Sequence, residues 1–123
     1  KGNYGRNKIS HEQSETWLVN PLAIYTPAIA PGSLHIYKGI MFPERKDTIL
    51  IGMLKWQWLL GIQIDPKNAD SVIQQEKIID DQFGRVRYVT EWPDGSIYIS
   101  TSNTDGRWNI QDGDDKIIRI YKK

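Results

Sequence analysis

Along most of the chain, apolar and polar positions alternate with a period of two, and the alternation stops at clusters of Gly, Pro, Asn and Asp. Runs of this kind are LHIYKG (34–39), TILIGMLK (48–55), WLLGIQID (58–65) and VIQQEKII (72–79). RVRYVTEW (85–92), SIYISTS (96–102) and KIIRIYKK (116–123) continue the series. Their β-branched and aromatic content predicts strands. The intervening FPERKD, DPKNADS, PDG and NTDGRWNIQDGDD carry the residues that turns and loops require. No segment keeps a 3.6-residue apolar period for ten residues, so no helix is predicted. Residues 1–32 break the pattern: they are polar as far as Asn20 and then proline-rich in PLAIYTPAIAPGS, which predicts an irregular connection ordered by packing.

The strands recur every 10–14 residues, four and then three. That rhythm predicts an all-β fold of antiparallel four-stranded meanders with the second group one strand short. A propeller blade that receives its fourth strand from the N-terminus gives this count, and so does any three-stranded meander.

A length of 123 residues suits one small domain. Sixteen Lys plus Arg against fifteen Asp plus Glu leave a net charge of +1, which gives no electrostatic case for nucleic acid or an acidic membrane. Five Trp, six Tyr and two Phe argue against disorder. Cysteine is absent, which removes disulfides and thiolate metal sites but leaves an oxidising compartment open. No apolar run reaches the roughly 18 residues of a membrane span. KGNYGRNKIS lacks the apolar core of a signal peptide, so the expectation is a cytoplasmic protein or a mature or shortened piece.

Arg85 and Arg87 are the first candidates for chemistry. One residue apart in a strand, they would point to the same face about 7 Å from each other. Two like charges so placed need open water, a cross-strand carboxylate or a bound anion, and the planar guanidinium fork pairs bidentately with carboxylate or phosphate. Lys55, at the end of a long apolar strand, is either a snorkelling end residue or a third cation for the same site. Trp56 and Trp58 would share one strand face as core or as a contact with a neighbouring unit. Asp105, Asp112, Asp114 and Asp115 form an oxygen-rich stretch with calcium as an open ligand. It lacks the EF-hand order and closing glutamate, so a turn-rich loop is favoured. His11 and His35 show no metal-ligand spacing, and His35, alternating with apolar residues, reads as a packed histidine. No serine and histidine arrangement suggests a nucleophilic triad.

Taken in order, NYG (3–5), PLAIYTPAIAPGSLHIYKG (21–39), FPE (42–44), the apolar strand ending in Leu54-Lys55, GRVR (84–87), WPDGSIYISTSNTDGR (92–107) and GDDKIIRI (113–120) resemble one family. It is the soluble glucose/sorbosone dehydrogenase family, especially its aldose sugar dehydrogenase branch. The resemblance implies a six-bladed β-propeller carrying pyrroloquinoline quinone (PQQ), of which this chain matches only the C-terminal part, the last two blades. Residues 1–32 would then be an irregular connection, 33–80 one blade and 84–123 an incomplete last blade.

By the same resemblance Arg85 and Arg87 face the quinone carboxylates, Lys55 approaches them, and Thr101 matches a further cofactor-side position. The implied reaction is oxidation of an aldose at its anomeric carbon, with a histidine base from an earlier blade that neither His11 nor His35 matches. The chain alone is then expected to be inactive. Its expected partners are the aldose and either the remaining blades or further copies of itself through free blade edges. A periplasmic or extracellular location goes with the family. The chain departs from the family pattern at Tyr88, where an aspartate is common, and at Arg6-Asn7, where Trp-Pro is usual. Two alternatives stay open: a non-catalytic propeller module that binds a protein or glycan, and an independent small all-β domain.

Overall fold

Each predicted alternation becomes a strand in the computed structural model, which describes residues 21–123. The strands are β1 (Pro31–Ile36), β2 (Ile49–Met53), β3 (Trp58–Asp65), β4 (Asn68–Asp80), β5 (Val86–Glu91), β6 (Ile97–Thr101) and β7 (Ile117–Ile120). They form two antiparallel sheets, one in the order β1-β2-β3-β4 and one in the order β5-β6-β7. A single 3-10 turn at Pro43–Arg45 interrupts the loop between β1 and β2. Helices long and apolar enough to cross a membrane are absent among the described residues.

Alternation decides which face each side chain takes. In the first sheet Leu50 and Leu59 turn toward the second sheet, while Ile49, Ile51, Met53, Leu60 and Ile62 turn away from it. Val86, Val89, Ile97 and Ile99 answer from the second sheet, so the main core lies between the sheets and includes Tyr37, Phe42 and Ile79. The outward face of the first sheet is covered by residues 21–30, whose Ile29 joins Met53, Leu60 and Ile62 in a smaller cluster. This cover is partial: an apolar groove of about 430 Å³ remains between Leu22, Ile24 and Tyr25 on one side and Ile51, Ile62 and Val72 on the other.

Element boundaries differ from the sequence pattern where side chains cap the backbone. The DPKNADS loop shrinks to a turn at residues 66–67, because the Asp65 carboxylate accepts the Lys67 N–H at 2.8 Å and the Asn68 side chain accepts the Asp70 N–H at 3.1 Å. β4 therefore starts at Asn68. β2 ends at Met53 rather than at Lys55: the Leu54 and Lys55 N–H groups leave the sheet and bond the Ala30 and Ile29 carbonyls of the covering segment. Trp56 accordingly precedes β3, and its ring rests on that of Trp58 with centroids 5.1 Å apart.

The sheets pack so closely that two glycines are required. A Cβ on Gly32 of β1 would collide with the Arg87 carbonyl, and one on Gly52 of β2 would sit 2.9 Å from the Val86 carbonyl. Both lie where β1 begins, β2 ends and β5 begins, so the backbone carrying Val86 and Arg87 is pressed against the first sheet at one end of the molecule.

Candidate anion-binding site

That end collects the charged candidates. β5 starts there with a bulge: Val86 pairs with Thr101 and Tyr88 with Ser100, leaving Arg87 as the extra residue. The bulge corrects the simple same-face picture of the two arginines. Arg85, just before the strand, turns inward until only 9% of its side chain is exposed, whereas 53% of the Arg87 side chain is exposed. Bulges re-aim side chains in this way at strand ends.

The two guanidinium groups nevertheless converge on one carboxylate. Asp105 Oδ2 lies 3.0 Å from Arg85 Nη2 and 3.7 Å from Arg87 Nη2. Of the three remedies for their repulsion the structure supplies a carboxylate, and it comes from the loop after β6. Asp105 Oδ1 is committed to its own turn, accepting the Arg107 N–H at 3.1 Å. One negative charge thus faces two positive ones. Arg85 Nε, moreover, is a buried donor with no acceptor among the described residues. Leaving such a donor unpaired costs about 1–3 kcal/mol, more when the group is charged, so it singles out this place among the buried polar groups.

The backbone on either side of Arg85 is fixed. The Asn103 side chain accepts the Arg85 N–H at 2.8 Å, and the Ser102 N–H donates to the Arg85 carbonyl at 2.9 Å. Asn103 also donates to the Phe83 carbonyl and to Asp114. It is 1% exposed, and it ties the approach to β5 to the loop that carries Asp105. Behind it a cavity of about 280 Å³ is lined by Gln57, Asp81, Asn103, Trp108, Asp114 and Lys116. That is at the small end for a ligand pocket and suits part of a molecule.

Thr101 is buried, and its hydroxyl works within the chain. It accepts the Lys116 N–H at 2.8 Å and reaches Asp115 Oδ1 at 3.4 Å. Asp115 also accepts the Thr104 hydroxyl and the Asn103 N–H, which outweigh its burial and set its pKa below the ordinary carboxylate value. Asp114 is held lower still, to about 2, by the Lys116 ammonium, the Gln111 N–H and the Asn103 amide. Asp114 and Asp115 are therefore held by their own loop and pin its base, in line with the turn-rich reading of this stretch. Among the described residues no group of three or more His, Cys, Asp or Glu is placed to hold a metal ion.

Lys55 is exposed and stands three residues beyond Gly52, whose backbone lies on Val86, so it belongs to the arginine end of the molecule. His35 is at the opposite end. Its Nε2 is 3.3 Å from Glu91, and Glu91 also accepts the Lys38 N–H at 2.7 Å and the Gly39 N–H at 3.2 Å. Burial pushes the Glu91 pKa up, but these partners outweigh it and bring the group below the usual value. His11 lies outside the described residues.

The two antiparallel sheets share the fold of propeller sugar dehydrogenases. An oxidoreductase of Thermus thermophilus described as a glucose dehydrogenase superposes with a TM-score of 0.71 at 29% identity, over 96% of this chain and 33% of that one. The PQQ-bound aldose sugar dehydrogenase of Streptomyces coelicolor gives 0.69 at 23% identity, again over 96% of this chain and 33% of its own, and speaks for the fold alone. The chain matches the glucose/sorbosone dehydrogenase model over residues 1–119, and it belongs to that family. Among curated relatives, a Synechocystis protein without an assigned activity is 39% identical over 73% of this chain and 21% of its own length. The aldose sugar dehydrogenase of Escherichia coli is 26% identical over 85% of this chain and 28% of its own. The chain thus spans between about a fifth and a third of the length of these relatives.

Proposed function

We propose that this chain forms the cofactor-clamping, C-terminal part of a PQQ-dependent aldose dehydrogenase-type quinoprotein, with residues 33–80 as one propeller blade and 84–123 as an incomplete last blade. The observation that carries the reading is the nine-tenths buried Arg85 guanidinium with its unpaired Nε, beside Arg87 and a single shared carboxylate oxygen. A tricarboxylate fits such a set of donors: charge-assisted bonds to guanidinium are strong, and the added anion relieves the repulsion that one aspartate only half cancels. When bound, the quinone supplies the acceptor for hydride leaving the anomeric carbon of the sugar.

The described residues bind and orient. Arg85 is the rigid arm, fixed by burial and by Asn103. Arg87 is the solvent-side arm, and Lys55 adds a cation from the first sheet. Thr101 holds the Asp115 loop that keeps Asn103 in place. The proton-accepting histidine belongs to an earlier part of the ring, so the chain by itself does not turn over sugar. Two surfaces support a longer ring: the half-covered apolar groove under residues 21–30, and the edge of β7, which pairs with no further strand among the described residues. An exported location, periplasmic or extracellular, goes with this reading.

The test is a calorimetric titration of PQQ into the longest natural product that contains this sequence. Saturable binding that Arg85→Gln weakens at least about thirtyfold is expected, and equal affinity in wild type and variant would sink the proposal. A second reading, a non-catalytic module that binds protein or glycan, is favoured by one observation. Tyr88 and Trp92 are exposed on the outer face of the second sheet, with Trp92 against Tyr98 at 5.9 Å between ring centroids. Aromatic surfaces of that kind suit partners and sugars alike. Upstream sequence lacking a histidine base and further cofactor ligands would decide for it.

A further inference from the structure

We propose that Asp105 is a resident, exchangeable occupant of the arginine fork, and that an anionic ligand enters by displacing it. Asp105 thereby sets the affinity and selectivity of the site. The inference rests on the cofactor reading only for the identity of the natural anion.

The argument begins with the fork. Nε and Nη2 form one edge of a guanidinium, and a carboxylate that uses both its oxygens satisfies both donors. Asp105 uses one. Its Oδ2 meets Arg85 Nη2 at 3.0 Å, while its Oδ1 is turned to the Arg107 N–H, and Arg85 Nε is left buried and unpaired. The resident carboxylate therefore cannot complete the edge it occupies, because the turn that presents it also claims its second oxygen. A ligand carboxylate free of that turn makes both bonds. It gains the one that Asp105 forgoes, and it also meets Arg87, which the same Oδ2 reaches only at 3.7 Å.

The loop is built to let the exchange happen. Its base is fixed: Asn103, Asp114 and Asp115 bind one another's backbone and side chains, and Asp115 holds Thr101. Its tip is not, since residues 104–110 are exposed and a Cβ on Gly106 would meet nothing within 4 Å. Asp105 sits at this tip with a quarter of its side chain exposed, so it can swing away while the base stays in register. In the absence of ligand it lowers the cost of holding two arginines together. In its presence it competes. Weak or monodentate anions lose that competition, and carboxylates that grip the whole edge win it.

The experiment compares wild type, Asp105→Asn and Asp105→Ser in the longest natural product containing this sequence. Each is titrated by calorimetry with PQQ and, separately, with benzene-1,3,5-tricarboxylate at fixed ionic strength. Asn and Ser both keep an acceptor for the Arg107 N–H, so the turn survives if either variant folds. Binding of both anions about tenfold tighter in the variants is expected from removal of one like charge at this distance. In wild type, saturation with the tricarboxylate should also change tryptophan emission in a way that Trp108→Phe abolishes. Equal or weaker affinity in both variants overturns the inference; weaker binding would make Asp105 a positioning residue instead. If PQQ binds none of the proteins while the tricarboxylate keeps the expected order, the exchange stands and the cofactor reading falls. If PQQ binds all of them alike, the cofactor reading stands and the exchange falls. Binding of neither anion to any protein removes both.

Discussion

The two ends of the packed sheets are held together by opposite kinds of polar chemistry. At the end where β5 finishes, every buried polar group in view has a partner. The Tyr37 hydroxyl, on a fully buried ring, donates to the Gly95 carbonyl at 2.6 Å and accepts the Phe42 N–H at 3.2 Å. Glu91 accepts two N–H groups from the loop after β1 and meets His35. At the end where β5 begins, two guanidiniums share one oxygen and a buried Nε has no acceptor among the described residues. A satisfied network fixes geometry, and an unsatisfied one waits for something. The first end has the character of scaffold, and the second, on the proposed reading, is where a ligand would meet an unmet demand.

Substitutions at the two ends should separate these roles. The largest effect is expected at the closed end: Tyr37→Ala empties a fully buried aromatic site and should cost about 4 kcal/mol of stability by denaturant unfolding. A loss below about 1 kcal/mol would show that this end is not the clamp. Arg85→Gln should do the reverse, weakening tricarboxylate binding by about 2 kcal/mol while changing the unfolding midpoint little. Glu91→Gln follows at about 1 kcal/mol of stability with anion affinity unchanged, because its contacts all lie at the far end.

Acid provides a subtler contrast. Asp114 is held at about 2, below its free value, so its stabilising contribution is present above about pH 4 and is lost as pH falls toward 2. Glu91 titrates with the same sign, its depressed pKa making the closed end weaken on acidification too. Trp108 emission should report the loop loosening over that window, and an Asp114→Asn variant should lack the transition. Lys55→Gln carries the smallest expectation, a loss of about threefold in anion affinity, since an exposed cation is screened by solvent.

The seven strands were legible because each alternates and each is bounded by turn residues; the family resemblance added an expectation of which end holds the cofactor-side residues. Arg85 and Arg87 were found as a pair, but their partner was not. Asp105 sits twenty residues away in the chain, in a stretch whose acidic residues suggested calcium, and periodicity says nothing about which loop folds over which strand. A usable signal was nevertheless present. If RVRYVTEW and SIYISTS pair antiparallel around the PDG turn, the residues just after the second run must lie beside those just before the first. The Ser102 to Arg85 hydrogen bond realises that arrangement. Counting outward from the turn leads to Asn103 and then to Asp105. The bulge at Arg87 could not be counted in this way. It lies where Gly32 and Gly52 approach the backbone of Val86 and Arg87, a property of the packed sheets and not of either strand.

Glu91 carries a consequence for how the molecule melts. Its carboxylate belongs to β5 and caps backbone donors in the loop after β1, and Tyr37 of that loop reaches across in the opposite direction to the carbonyl of Gly95 in the turn between β5 and β6. Neither sheet can open without exposing unpaired groups on its neighbour. The amides of β2, β3, β5 and β6 should therefore exchange with deuterium as one cooperative block with a common opening free energy, although they lie in separate sheets.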